Sequence, residues 1–152
     1  MADIEAPPIS ELVPHHGASM LLDRVIAHER RRTVVGVMAG SQRWLRGRDG
    51  STASWLAVEY MAQCVAAHEG LLALAEGRAR WDGFLVRVRG LQLGLPSFPS
   101  GQQLRVEAKW VRGREGLGIL SYDCEILAEG EAPGDNRLAK GCLSFAVERP
   151  QA

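Results

Sequence analysis

Apolar positions change their rhythm along the chain, and the changes mark out the elements. Segments 20–28 and 33–40 are short, apolar-leaning runs rich in strand formers, separated by the charged string Glu29-Arg30-Arg31-Arg32. Two such runs joined by a polar connection predict a hairpin with a solvated turn. Ahead of it, Ile9-Ser-Glu-Leu-Val reads as a short helical turn that Ser10 can cap and Pro14 ends. Segment 55–75 holds no proline and is dominated by Ala, Leu, Glu, Met and Gln, which predicts one long helix. Strand-like runs then return at 84–93, 104–112, 118–127 and 138–147, divided by Gly/Pro/Ser or acidic breaks.

The long helix carries few charges over its first fourteen residues, so most of its surface is expected to be buried. Ala57, Ala62, Ala66 and Ala67 allow a sheet to approach it closely. The loop before it, rich in Gly, Arg and Ser, offers Ser51, Thr52 and Ser54 as caps. Two strands, a buried helix and about four more strands make an α+β pattern, in which a curled antiparallel sheet wraps around one long central helix: the hotdog fold. A single domain is expected over 1–152, with an ordered core at about 9–148.

Composition narrows the function. Lys+Arg and Asp+Glu number 18 each, so no bulk charge draws the chain to nucleic acid or to an acidic membrane. The arginine run reads as a wet turn that can still touch an acidic partner such as a carrier protein. Cys64, Cys124 and Cys142 lack the spacing of a disulfide framework or a zinc site. Residues 1–8 lack a basic stretch followed by an apolar run, and no segment is long enough to cross a bilayer, so a cytoplasmic protein is expected.

Candidate chemistry centres on Glu59, near the start of the long helix with Val58 and Met61 close by. Burial raises a carboxyl pKa, whereas the helix N-terminus lowers it, so the sign of the net shift is open. Gln63 lies one turn later on the same face, placed to hydrogen-bond Glu59 or a bound group. The plainer alternative makes Glu59 a first-turn acid that satisfies backbone N–H groups or pairs with an arginine. His68, Glu69 and Gly70 read as surface and packing features.

Three motifs carry a resemblance: Glu11-Leu-Val-Pro-His-His16, Met20-Leu-Leu-Asp-Arg-Val25 and Val58-Glu-Tyr-Met-Ala-Gln63. In this order and spacing the chain resembles the bacterial 3-hydroxyacyl-ACP dehydratases, and the third motif is especially similar to the divergent dehydratases of aryl-polyene pathways. Ser97-Phe-Pro-Ser-Gly101 and the strand after it extend the likeness over about 9–147. The resemblance implies a hotdog enzyme that removes water from 3-hydroxyacyl thioesters of acyl carrier protein in fatty-acid or aryl-polyene synthesis, giving the enoyl thioester. Glu59 would be the acid/base and Gln63 would orient it. The main chain at Ser54 and Trp55 would hold the thioester oxygen at the helix N-terminus.

The family's catalytic histidine sits fourteen positions ahead of the helix carboxylate, and there this chain has Leu45. No histidine lies between His28 and His68. His15 matches a non-catalytic histidine of the family's leading motif and His16 stands where arginine is usual; either caps the first turn or swings toward Glu59. Two alternatives stay open: a non-catalytic acyl-ACP-binding subunit paired with an active dehydratase, or a hotdog thioesterase using Glu59. All imply acyl carrier protein or acyl-CoA, and a homodimer or heterodimer with another hotdog subunit. No metal or other cofactor is called for.

Overall fold

A computed structural model describes residues 5–15, 17–42, 45–114, 117–130 and 137–148. A short helix α1 (Ile9–Leu12) leads to a hairpin of β1 (Arg24–Glu29) and β2 (Arg32–Met38). Two-residue β3 (Thr52–Ala53) and a 3₁₀ turn (Ser54–Leu56) open the long helix α2 (Ala57–Glu76). Then follow β4 (Asp82–Leu93), the short β5 (Ser97–Phe98), β6 (Gln103–Arg114), β7 (Leu117–Ala128) and β8 (Arg137–Glu148). Six strands form one antiparallel sheet in the order β1-β2-β6-β7-β8-β4, while β3 pairs with β5 apart from it.

Alternation along the central strands puts one face of the sheet against α2. Leu104, Val106 and Ala108 on β6 and Tyr122, Cys124 and Ile126 on β7 are all buried there. Cys64 meets this layer from the helix, its thiol reaching the Thr33 and Val106 carbonyls at 3.6 and 3.5 Å. Burial pushes that thiol, and the Cys124 thiol, well above the usual range. The hotdog architecture is therefore the one expected, with α2 in the cup of the sheet.

The caps differ from expectation. Ser10 lies inside α1, whose N-cap position is Pro8 with no side-chain bond. Nor do Ser51, Thr52 or Ser54 cap α2, because the 3₁₀ turn intervenes and Leu56 holds the cap position. Thr52 instead pins the preceding loop by accepting the Gly40 N–H at 2.9 Å. At its other end α2 stops at Gly77 (φ 62°), whose left-handed conformation lets its N–H and that of Arg78 return to the last carbonyls.

His68 is a second departure, for it is buried rather than superficial. Its Nδ1 shares Thr33 Oγ1 at 2.7 Å, and the same hydroxyl meets His28 Nδ1 at 2.8 Å. Tyr122 packs edge-on against the His68 ring, whose Nε2 is buried without a partner among the described residues. Desolvation, followed by the nearby His28, lowers the His68 pKa to about 4, and His28 is also lowered. Folding therefore favours neutral rings: stability is full above the unfolded pKa near 6.5 and falls as pH drops toward 4. The expected loss from His68 is on the order of 3 kcal/mol. Thermal denaturation at a series of pH values checks it, and His68→Leu, which leaves Thr33 its His28 partner, should flatten the acid limb.

Candidate active site

Local structure brings three of the predicted site residues together. Glu59 and Gln63 stand one turn apart on α2, and Gln63 Nε2 donates to Glu59 Oε1 at 2.8 Å. The same amide group donates to the Ser19 carbonyl at 2.7 Å, and its oxygen accepts the Leu21 N–H at 2.9 Å. Gln63 is thus fully buried with both donors and its acceptor engaged, which fixes which way the amide points. His15 arrives from the segment after α1, its Nε2 lying 3.4 Å from Glu59 Oε1. Among the described residues Glu59 consequently finds its partners in a glutamine and a histidine, not in an arginine. Since both meet Oε1, among the described residues Oε2 is left to whatever enters the site.

The N-terminal arm that delivers His15 is held in two ways. Gly70 of α2 touches the Leu12 backbone so closely that a methyl group would collide with it. Arg80 donates to the Leu12 carbonyl at 2.8 Å. Asp23, from the second motif, has a structural task, since its carboxylate accepts the Met38 N–H at 2.8 Å and secures the end of β2.

Beside the His15–Glu59 pair lies a mainly apolar cavity of about 360 Å³. Ala62, Val65 and Ala66 form its helix wall, and Tyr122 and Phe145 its sheet wall. From Glu59 it runs along α2 to Glu69, roughly 15 Å at the helical rise. At the far end Glu69 and Trp81 line it, and they belong to a cluster that the sequence did not announce. There Arg78 holds Glu69 at 2.6 Å and Glu76 at 2.6 Å, and its guanidinium stacks 3.7 Å from the centre of the Trp81 ring. Glu69 also accepts the Trp81 N–H at 2.9 Å. Its bonds to Glu69 and Glu76 hold the Arg78 pKa far above its ordinary value.

Other predicted positions lie elsewhere. Leu45, Ser54 and Trp55 do not line the cavity. Ser54 is buried with its N–H already donated to the Pro96 carbonyl at 3.1 Å, so that amide serves the fold. Trp55 is 66% exposed, and Leu45 packs at the edge of the core. His16 lies outside the described residues.

A family model for ApeP dehydratase, ApeP-like, matches residues 7–150. The chain belongs to the ApeP-like dehydratase family. Among solved structures, this ApeP-like chain is similar to the dehydratase heterocomplex ApeI:P from Xenorhabdus doucetiae, with 22% identity, a TM-score of 0.84, and coverage of 97% of this chain and 93% of that one. It also resembles a hypothetical thioesterase with coenzyme A from Streptococcus pneumoniae TIGR4 (12% identity, TM-score 0.60, 85% and 88% covered). A third similar fold is the PaaI protein of the E. coli phenylacetic acid degradation operon (15%, 0.58, 81% and 81%). No curated protein matches the ApeP-like chain in sequence. Among the described residues, none of its helices is long and apolar enough to cross a membrane.

Proposed function

We propose that this ApeP-like chain removes water from 3-hydroxyacyl thioesters carried by acyl carrier protein, as one half of a pair of hotdog subunits. The observation that carries the reading is the His15–Glu59 contact at the edge of an apolar cavity. His15 supplies the imidazole that the family keeps in the loop now occupied by Leu45. One member of the pair, as base, takes a proton from the carbon beside the thioester carbonyl, and the other, as acid, gives one to the departing 3-hydroxyl. Water and the enoyl thioester leave, and proton transfer between Glu59 and His15 restores the pair. The cavity's aromatic sheet wall suits a flat, conjugated acyl chain of the aryl-polyene type as well as a saturated one.

A subunit partner is supported by the site's incompleteness. His15 and Glu59 side chains are 31% and 45% exposed, too open to keep water from the reaction. Gly83, Phe84 and Leu85 of β4 form one rim of the cavity, and among the described residues β4 has no strand on its outer side. That feature also favours a second reading, an acyl-binding subunit whose partner performs the chemistry.

Intact-mass analysis of 3-hydroxyacyl-ACP incubated with the protein, alone and with a hotdog partner, tests both. Loss of one water that depends on Glu59 and His15 supports the first reading. Water loss that needs the partner but neither residue supports the second. Release of the acyl chain would make the chain a thioesterase and overturn both.

A further inference from the structure

Arg80 is half-buried and lines the mainly apolar cavity, and among the described residues no carboxylate pairs with it. Its one hydrogen bond there is the 2.8 Å donation to the Leu12 carbonyl. That carbonyl lies against Gly70, so the guanidinium stands level with Gly70 on α2, at the end of the cavity away from Glu59. A guanidinium carries five N–H donors and stays charged, and Leu12 takes only one of them. The neighbouring acids are engaged elsewhere: Glu69 accepts from Arg78 and from the Trp81 N–H, and Glu76 accepts from Arg78. Solvent serves the remaining donors while the cavity is open. A chain that fills the cavity displaces that solvent, and charged donors covered without an acceptor oppose binding. A ligand that fits must therefore bring an oxygen to this end.

Charge narrows the kind of oxygen. Three carboxylates, Glu69, Glu76 and Asp82, share this end with two guanidiniums, Arg78 and Arg80. One negative charge is left over, which opposes a carboxylate or a phosphate and leaves a neutral hydroxyl or carbonyl oxygen as the better fit. Depth says where on the chain it sits. Glu59 and Glu69 are separated by roughly 15 Å at the helical rise. An extended chain advances about 1.2 Å per bond, so about twelve bonds lie between a carbon at Glu59 and an atom at Arg80.

We propose that Arg80 is a specificity-determining residue of this cavity, which donates to a neutral oxygen near the distal tip of the acyl chain and so selects oxygen-tipped chains over methyl-ended chains of equal length. This rests on the reading above that the acyl chain lies in the cavity with its thioester end at Glu59. It does not require that the protein remove water.

Isothermal titration with two saturated acyl-pantetheines of about fourteen carbons, one ending in methyl and one in a hydroxyl, tests the proposal with the hotdog partner of the water-loss assay present. Neither ligand carries a 3-hydroxyl, so neither can react. Wild type should bind the hydroxyl-ended chain the more tightly. Arg80→Met should shift the ratio of the two Kd values about ten-fold toward the methyl-ended chain, the loss expected for a hydrogen bond to a charged group. Arg80→Gln, whose amide can still donate to the Leu12 carbonyl, should shift it in the same direction, and thermal melts confirm that both variants are folded. A loosened α1, or an Arg80 contact with the pantetheine arm instead of the acyl tip, would weaken both ligands equally and leave the ratio where it was. An unmoved ratio, tighter binding of the methyl-ended chain by wild type, or binding of neither chain would each overturn the inference. No turnover is involved, so such a failure leaves the water-loss assay standing. Failure of that assay with the expected ratios would remove the dehydration and keep the role of Arg80.

Discussion

Glu59→Gln should slow water loss from 3-hydroxyacyl-ACP by about 10²- to 10⁴-fold, the range that a positioned acid/base contributes. The fold should survive the change. A glutamine at position 59 can still turn its carbonyl oxygen to the Gln63 amide and to His15, keeping the contacts that Glu59 Oε1 makes. What it loses is the capacity of Oε2 to accept and return a proton. Single-turnover rates measured beside thermal melts separate the two effects: a lost rate with an unchanged melting temperature is the expected pair. An unchanged rate would remove Glu59 from the chemistry.

Gly70→Ala should destabilise the protein by about 1–3 kcal/mol or more, the range for overpacking a well-filled interior. The sign is informative, because glycine to alanine within an exposed helix stabilises by up to about 1 kcal/mol. Here the added methyl group meets the Leu12 carbonyl oxygen, Cα and C together. Main-chain atoms cannot change rotamer, so α1 must lift from α2. His15 follows α1 by only a few residues, and turnover should fall along with stability. Urea denaturation midpoints give the first effect and single-turnover rates the second. A variant as stable as wild type would show that the α1 contact is looser than described.

The long helix was legible from its proline-free run of strong helix formers, and the six strands of the main sheet from runs of strand formers divided by turn residues. The caps were not: Ser51, Thr52 and Ser54 all have capping chemistry, and only the 3₁₀ turn before Ala57 decides that none is used. The β3–β5 ladder of two residues per strand has no period to read, yet it buries Phe98 completely. Of the site, the Glu59–Gln63 contact follows from spacing along one helix. The approach of His15 does not, since 44 positions and the whole first hairpin separate it from Glu59. The Glu69–Arg78–Trp81 cluster was equally hidden, because the left-handed turn at Gly77 takes Arg78 and Trp81 out of helical register. His68 was misplaced because a histidine bears no mark of burial until a hydroxyl such as that of Thr33 is found beneath it.

The bonds that lock Gln63 reach beyond the cavity. Its side-chain oxygen takes the Leu21 amide proton, while its nitrogen touches the Glu59 carboxylate. Charge gained or lost at Glu59 polarises that amide group and so the N–H it accepts. The Leu21 backbone resonance in a proton–nitrogen correlation spectrum therefore serves as a built-in voltmeter for the carboxylate. It can be read during titration or ligand addition without placing any label in the site.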